Sequence, residues 1–265
     1  MPDLANLNPQ QCRHLIRDNQ YCGPTPGLGG GYLQANLVIL PQDIAEDFQE
    51  FARLNPKPCP LLEILGPGET QLTTIADADV TTDFPAYRVF EYTSVTEEVS
   101  SVCDLWQDDL VSFLIGCSFT TDHILQQQNI MLNHVQHNTT IPIYISNQVT
   151  QPTHYFSGPL AVSMRSIKRH QLEQAIAITQ DYPLAHGAPV HCGDPQQLGI
   201  NDITEPAYGV YYPIAEDEVP VFWACGVTPQ LCAQHNKINL MITHKPGHML
   251  ICDLTNQALY KKKAL

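Results

Sequence analysis

The chain has 265 residues and a mass of 29.5 kDa, enough to bury a large apolar core in one big domain or two modest ones. Its 13 Lys and Arg stand against 27 Asp and Glu, a formal charge of −14, so no basic stripe exists to bind nucleic acid. At 43% hydrophobic residues the chain is not a disordered one, and no apolar stretch approaches the ~20 residues of a membrane-spanning helix. The start, MPDLANLNPQQ, lacks the basic and apolar regions of a signal peptide. Nine cysteines without a CxxC pair fit reduced thiols, and cytoplasmic residence is the expectation.

In chain order, Asn8 and Pro9 open a helix that buries Cys12, Leu15 and Ile16. A glycine-rich turn, Gly23–Gly31, leads into a strand at Tyr32–Leu40, and the spacing of Ile44, Phe48, Phe51 and Ala52 predicts a helix over Gln42–Leu54. Strands follow at Leu61–Leu65 and Tyr87–Tyr92. Trp106, Leu110, Phe113 and Leu114 fit a helix stopped by Gly116, and Ser118 suits the cap of another. Beyond a polar stretch at Gln136–Ile141, strands are expected at Ile143–Ser146 and Leu160–Met164, then a helix over Lys168–Gln180. A strand–helix–strand unit closes the chain at Val219–Cys225, Pro229–His235 and Leu240–Thr243. This alternation predicts an α/β protein: a mixed-sheet layered main domain at 1–135 and 210–265, with a smaller inserted α+β domain at 136–209.

Few segments carry recognisable chemistry. GPTPGLGGGYLQANLVILP is not a dinucleotide fingerprint, because a strand follows its glycines where a helix is required, and it has no Walker lysine. It reads as a tight turn, or as a loop whose backbone approaches a small ligand. His244-x3-His248 and His186-x4-His191 approach ligand spacing, yet Pro246 and Gly247 forbid the helix that would align the first pair, and no metal is expected. Imidazoles titrate nearest neutrality, so His244 and His248 are acid–base candidates, with His186 and His191 as substrate contacts. Cys117 and Cys225 each precede a predicted helix start, where backbone N–H groups bind anions and lower a thiol pKa; small apolar packing is the alternative. Arg165, Arg88 and Lys57 are the cations suited to anchoring a carboxylate, Arg165 foremost, and structural ion pairing is the alternative for each. Glu63 and Asp194 are weaker candidates for a general base than for turn-forming or solvated roles.

The segments GPTPGLGGGYLQANLVILP, NPKPCPLLE, DLWQDDLVSFLIGCSF, GPLAVSMRSI, HGAPVHCGDPQQLGI, VPVFWACGVTPQ and ITHKPGHM together resemble the hydro-lyase family that includes D-glutamate cyclase, from about Arg13 to Leu254. The resemblance implies a two-part α/β fold and a lyase that removes water, interconverting D-glutamate and 5-oxo-D-proline in the cyclase members. It supplies no catalytic set. Where relatives commonly carry an arginine after the tyrosine of the PxY segment, Ile145 follows Tyr144 here. Such chemistry needs a base, an acid, oxyanion donors and a carboxylate anchor. His244 and His248 are assigned to proton transfer, with Cys117 and Cys225 as further catalytic candidates; the backbone around Cys117–Phe119 and Gly226–Thr228, with Ser118 and Thr228 as substrate contacts, is assigned to the cradle, and Arg165 to the anchor. A small carboxylic or amino acid is the expected partner, no cofactor is expected, and self-association is left open. Dehydration of another small hydroxy or amino acid, and non-catalytic carboxylate binding, are the rival readings.

Overall fold

The computed structural model describes residues 7–137, 139–236 and 238–262. Helix α1 (Pro9–Arg17) begins as its sequence implies: Asn8 Oδ1 accepts from Gln11 N, while Gln11 Oε1 accepts from Asn8 N. Strand β1 (Tyr32–Pro41) and helix α2 (Gln42–Leu54) follow, then β2 (Leu61–Leu65), the short pair β3 (Gln71–Leu72) and β4 (Ala78–Asp79), β5 (Tyr87–Tyr92) and β6 (Ser94–Val99). Strand β7 (Leu110–Gly116) precedes α3 (Phe119–Gln127) and α4 (Asn133–Gln136). The chain continues through β8 (Ile143–Val149), β9 (Pro159–Lys168), α5 (Leu172–Gln180), β10 (His191–Cys192), β11 (Glu218–Ala224), α6 (Thr228–His235), β12 (Ile238–His244) and β13 (Leu250–Thr255).

These elements form an α/β fold around two main sheets. The larger has the order β2-β7-β1-β12-β5-β6, with β13 also paired to β1; the smaller runs β10-β11-β9-β8. All pairings between the named strands are antiparallel, so the sheets are not the mixed ones expected. Strand β11, which the sequence division groups with the main part, lies hydrogen bonded to β9 in the smaller sheet.

Alternation along β1 sends Leu33, Ala35, Leu37 and Ile39 into one buried cluster, and Val38 and Leu40 into another beneath α2. In the second cluster Phe48 meets Phe113 and Phe156 edge-on, at ring separations of 4.9 and 5.0 Å. With both faces covered, the central strands are apolar almost throughout, which explains the helix expected over Trp106–Gly116. A continuous apolar run such as LVSFLIG satisfies helical and extended periods alike, and every residue of β7 is buried. Gly116 ends no helix. A Cβ there would lie 1.6 Å from the Leu184 carbonyl oxygen, so the residue permits a close approach of two backbones. The helix expected from Lys168 starts at Leu172 because β9 continues through Lys168.

Phe48 is fully buried in this core. Phe48→Ala is expected to cost about 3–5 kcal/mol of unfolding free energy, measured by urea denaturation.

Candidate functional site

Strand β1 changes its neighbour between Ala35 and Val38, leaving Asn36 and Leu37 unpaired on that side. Val38 and Ile39 pair with Thr243 and Ile242 of β12, whereas Gln34 and Ala35 pair with Ile251 and Leu250 of β13. Between them the Leu37 N–H donates to His244 Nδ1 at 3.1 Å, so the imidazole takes the place of a strand carbonyl. Both Leu37 backbone groups lie near Nδ1, the N–H at 3.1 Å and the carbonyl oxygen at 3.4 Å; the nearer N–H needs the Nδ1 lone pair, which puts the proton of the neutral ring on Nε2. Burial pushes the His244 pKa down to about 3, so the ring is uncharged at neutral pH. Its Nε2 is buried without a partner among the described residues, and so is Oε1 of Gln230, whose Nε2 donates to the His244 carbonyl at 2.9 Å.

His248 has the opposite tautomer. Its Nδ1 lies 3.0 Å from the Pro246 carbonyl and must donate to it, which leaves a lone pair on Nε2. Burial lowers its pKa too, the Pro246 bond notwithstanding, and the charges of Lys245, Glu98 and Arg88 act on it. Glu98 binds both cations, Arg88 Nε at 2.8 Å and Lys245 Nζ at 2.7 Å, and the Arg88 guanidinium lies over the Tyr208 ring. A neutral donor at the end of β12 and a neutral acceptor in the β12–β13 connection thus lie beside a cationic group formed by Lys245 with Arg88 of β5 and Glu98 of β6.

The two cysteine turns approach the same point through Asn36. Its Nδ2 donates to the Gly116 carbonyl at 2.7 Å, and a Cβ on Gly226 would sit 2.3 Å from that nitrogen, so only glycine fits there. The turns are built alike: Phe119 N–H and Val227 N–H donate to the Cys117 and Cys225 thiols, while Thr120 and Thr228 N–H reach the two cysteine carbonyls. Burial outweighs the helix-start effect, pushing the Cys225 thiol up to about 11 and that of Cys117 well above its ordinary value. Neither is a thiolate at neutral pH, and the amides expected to cradle an oxyanion are turned onto sulfur. Thr228 Oγ1 likewise serves the turn, donating to the Cys225 carbonyl at 2.7 Å and accepting from Ala161 N.

Arg165 is buried and its fork is already filled. Nε donates to Asp122 Oδ1 at 2.7 Å, one terminal nitrogen to Ser163 Oγ and the other to Ser118 Oγ, with the Trp223 ring 5.1 Å away. Asp122 Oδ2 accepts from His134 Nε2 at 2.8 Å. Burial alone would raise the Asp122 pKa, but Arg165 and His134 together hold it below the carboxylate range. Arg165 therefore fixes the turn at Ser118 instead of presenting a free fork, and Ser118 makes no side-chain cap on α3.

The remaining candidates separate. His186 is buried near Arg165 and donates Nδ1–H to the Lys57 carbonyl at 2.6 Å, its pKa lowered by burial to about 4. His191 pairs with Phe222 while Arg165 pairs with Val221, so strand alternation puts His191 on the opposite face of the smaller sheet. Glu63 accepts from three N–H groups, of Thr73, Thr74 and Ile75, and Asp194 accepts from Gln196 N; both are turn builders. Lys57 Nζ donates to the Ala188 carbonyl at 2.8 Å. Ile145 is 46% exposed, outside this convergence. Asn36, Gln230, Asp122 and His134 escape sequence reasoning, since only the fold reveals that these polar side chains are buried. No group of three His, Cys, Asp or Glu among the described residues is arranged to hold a metal ion.

The D-glutamate cyclase family profile matches residues 111–253, more than half the chain. Proteins named "Putative hydro-lyase" from Bacillus licheniformis and Geobacillus kaustophilus are 45% and 44% identical, over 96% and 98% of this chain and 97% and 99% of theirs. Another of that name, from Psychrobacter arcticus, is 45% identical over 98% of this chain and 99% of its own. A solved nitrogen repressor-like protein from Methanococcus jannaschii, at 12% identity and a TM-score of 0.37 over 83% of this chain and 87% of its own, is too loose a likeness to define a fold. The chain belongs to the D-glutamate cyclase family, a family of hydro-lyase-type enzymes.

Two outcomes check this geometry. Removing one partner of a buried ion pair leaves the other charge stranded, so Arg165→Met is expected to cost about 3–5 kcal/mol in urea denaturation. A variant of unchanged stability that lost only substrate affinity would restore Arg165 as the anchor. The second outcome concerns acid. His244 and His186 have native pKa values below the ordinary 6.5, so below pH 6.5 the unfolded chain takes up protons that the native protein refuses. Stability is therefore full above pH 6.5 and falls towards pH 4, by up to about 1.4 kcal/mol per pH unit for each ring. Denaturation midpoints at pH 7.5, 6 and 5 measure that slope; His186→Gln should flatten it, and a midpoint level from 7.5 to 5 would contradict the burial argument.

Proposed function

We propose that this enzyme interconverts D-glutamate and 5-oxo-D-proline with loss or gain of water, and that His244 and His248 move and hold its protons. The observation that carries the reading is the pair of neighbouring, uncharged imidazoles with opposite tautomers, one offering N–H and the other a lone pair. Family membership supports the reaction class, and the D-glutamate substrate is the finer step taken here.

In the cyclising direction the substrate ammonium must lose its proton before nitrogen can attack. His248 Nε2, unprotonated at neutral pH, accepts it. The nitrogen then bonds to the side-chain carboxyl carbon, and negative charge collects on the carboxyl oxygen. His244 Nε2–H donates to that oxygen, acting as a neutral hydrogen-bond donor throughout, because a ring with a pKa near 3 does not exchange its charge in this range. The C–O bond breaks as the departing oxygen receives the two protons the nitrogen gives up, relayed by His248, and it leaves as water. The reverse direction uses the same groups, His248 taking a proton from the water that attacks the lactam carbonyl. Arg88, which spends Nε on Glu98 and whose terminal nitrogens donate to no described residue, anchors the α-carboxylate in place of Arg165. Its local charge offsets the repulsion of an anionic substrate by a chain of net charge −14. Nine unpaired cysteines suit a cytoplasmic setting for this chemistry.

Incubation with D- and L-glutamate and both 5-oxoprolines, followed by chiral chromatography, tests the reaction; the D pair should interconvert, and inertness of that pair would refute the assignment. His248→Gln should lower the rate ~10²-fold or more, and His244→Gln ~10²–10³-fold, with the fold intact. The wild-type rate should hold near pH 7 and fall on acidification with a midpoint below 6.5, because the His248 pKa is lowered. His248→Gln should abolish that limb.

A further inference from the structure

A cleft of about 380 Å³ lies apart from the histidine pair, between the glycine turn and α3. It is walled by the turn from Pro26 to Gly31, by Phe119, Asp122, His123 and Gln126 of α3, and by Asn256, which follows β13. Asn256 is 3% exposed, and neither Nδ2 nor Oδ1 finds a partner among the described residues. An unpaired buried carboxamide is costly, about 1–3 kcal/mol for each polar group left unsatisfied. Its backbone N–H donates to the Gly31 carbonyl at 2.8 Å, so the glycine turn holds the residue against the cleft.

We propose that this cleft is a second ligand site, for a small uncharged molecule that presents an amide or lactam edge. Both amide atoms are unpaired and closed to solvent, so a carboxamide turned toward the cleft would offer a donor and an acceptor side by side, and its complement is a neighbouring C=O and N–H on the ligand. The lining excludes the alternatives. It contains no Lys or Arg, and its one charged side chain is the Asp122 carboxylate, so phosphates and carboxylates meet no counter-charge. That carboxylate is already paired with Arg165 and His134, so a cation gains little from it. Phe119 and Leu28 supply apolar surface on which a flat ligand packs. The glycine turn itself lacks side chains at four of its positions, which allows a ligand to approach the backbone.

The site stands independently of the reaction assigned to His244 and His248, and its test needs no turnover. Benzamide and benzoate have the same shape and differ in replacing an amide by a carboxylate. Titration of the full chain, followed by calorimetry and by ligand-observed NMR, should show saturable benzamide binding at millimolar concentrations and at least tenfold weaker binding of benzoate. Asn256→Leu, which removes both polar atoms, should weaken benzamide at least tenfold. A crystal soaked with benzamide should place its amide against Asn256. Equal binding of the two probes, no saturation by benzamide up to 50 mM, or a benzamide located elsewhere would each overturn the proposal. The contrast between the two probes is read on the wild-type protein, so it decides the matter even if Asn256→Leu fails to fold.

Discussion

The arrangement of the whole site depends on one shared strand edge. Strand β1 gives one side entirely to β7, from Ala35 to Pro41, but divides the other between β12 and β13. A backbone N–H stranded at the division would be buried in the centre of the largest sheet, which folding disfavours strongly. The His244 ring resolves this by accepting from Leu37 at the point where neither strand can. The same bond sets the tautomer, and burial in the sheet removes the charge. One hydrogen bond thus satisfies the strand and fixes the ring, and the chain between the two strands, Lys245 to Met249, is where the second imidazole stands.

The smaller sheet is tied to this arrangement through buried charge. Arg165 of β9 reaches Asp122 and Ser118 at the start of α3, so the helix that follows β7 is gripped by a strand of the other sheet. Neither Arg165 nor Asp122 would be tolerable alone at such burial; the pair, with His134 and Ser163, satisfies the polar atoms of each. Asn36 donates to the Ile115 and Gly116 carbonyls at the end of β7 and packs closely against Gly226. The turn at Cys117 is thus held from two directions, by Arg165 at Ser118 and by Asn36 at Gly116, while the turn at Cys225 is held by Thr228 and Ala161. Their thiols act as small acceptors for backbone N–H groups, and their high pKa values follow from how thoroughly water is excluded.

Much of this was legible in the residues themselves. Helix α2 and strands β2 and β5 fall where the patterns of Phe48, Leu61 and Tyr87 place them, because alternation or helical spacing there was unambiguous. Strand β7 was not, since a strand buried on both faces loses its alternation. Strand β6 was missed for the reverse reason: its first five residues, from Ser94 to Glu98, are exposed, so no apolar pattern marks it as paired to β5. His244 and His248 could be singled out by type, yet their tautomers could not, as these rest on contacts with Leu37, far away in sequence, and with Pro246. Arg165 could be recognised as important but not as occupied. An arginine that binds a ligand and one that binds Asp122 look the same until the partner is seen.

In the two histidines burial prevails over the net charge of the chain. A chain with a charge of −14 would ordinarily stabilise protonated imidazoles and raise their pKa values. Desolvation is the larger effect in both rings, and Arg88 acts in the same direction on each. Glu98 opposes it for His248, but it is engaged by Arg88 and Lys245, which offsets much of its field. Both rings therefore remain neutral at neutral pH, and neutrality is what makes their difference useful. Were both protonated, each would be only a donor and the pair would repel. Uncharged, with Nδ1 of one accepting from Leu37 and Nδ1 of the other donating to Pro246, they divide donor and acceptor between two otherwise identical side chains.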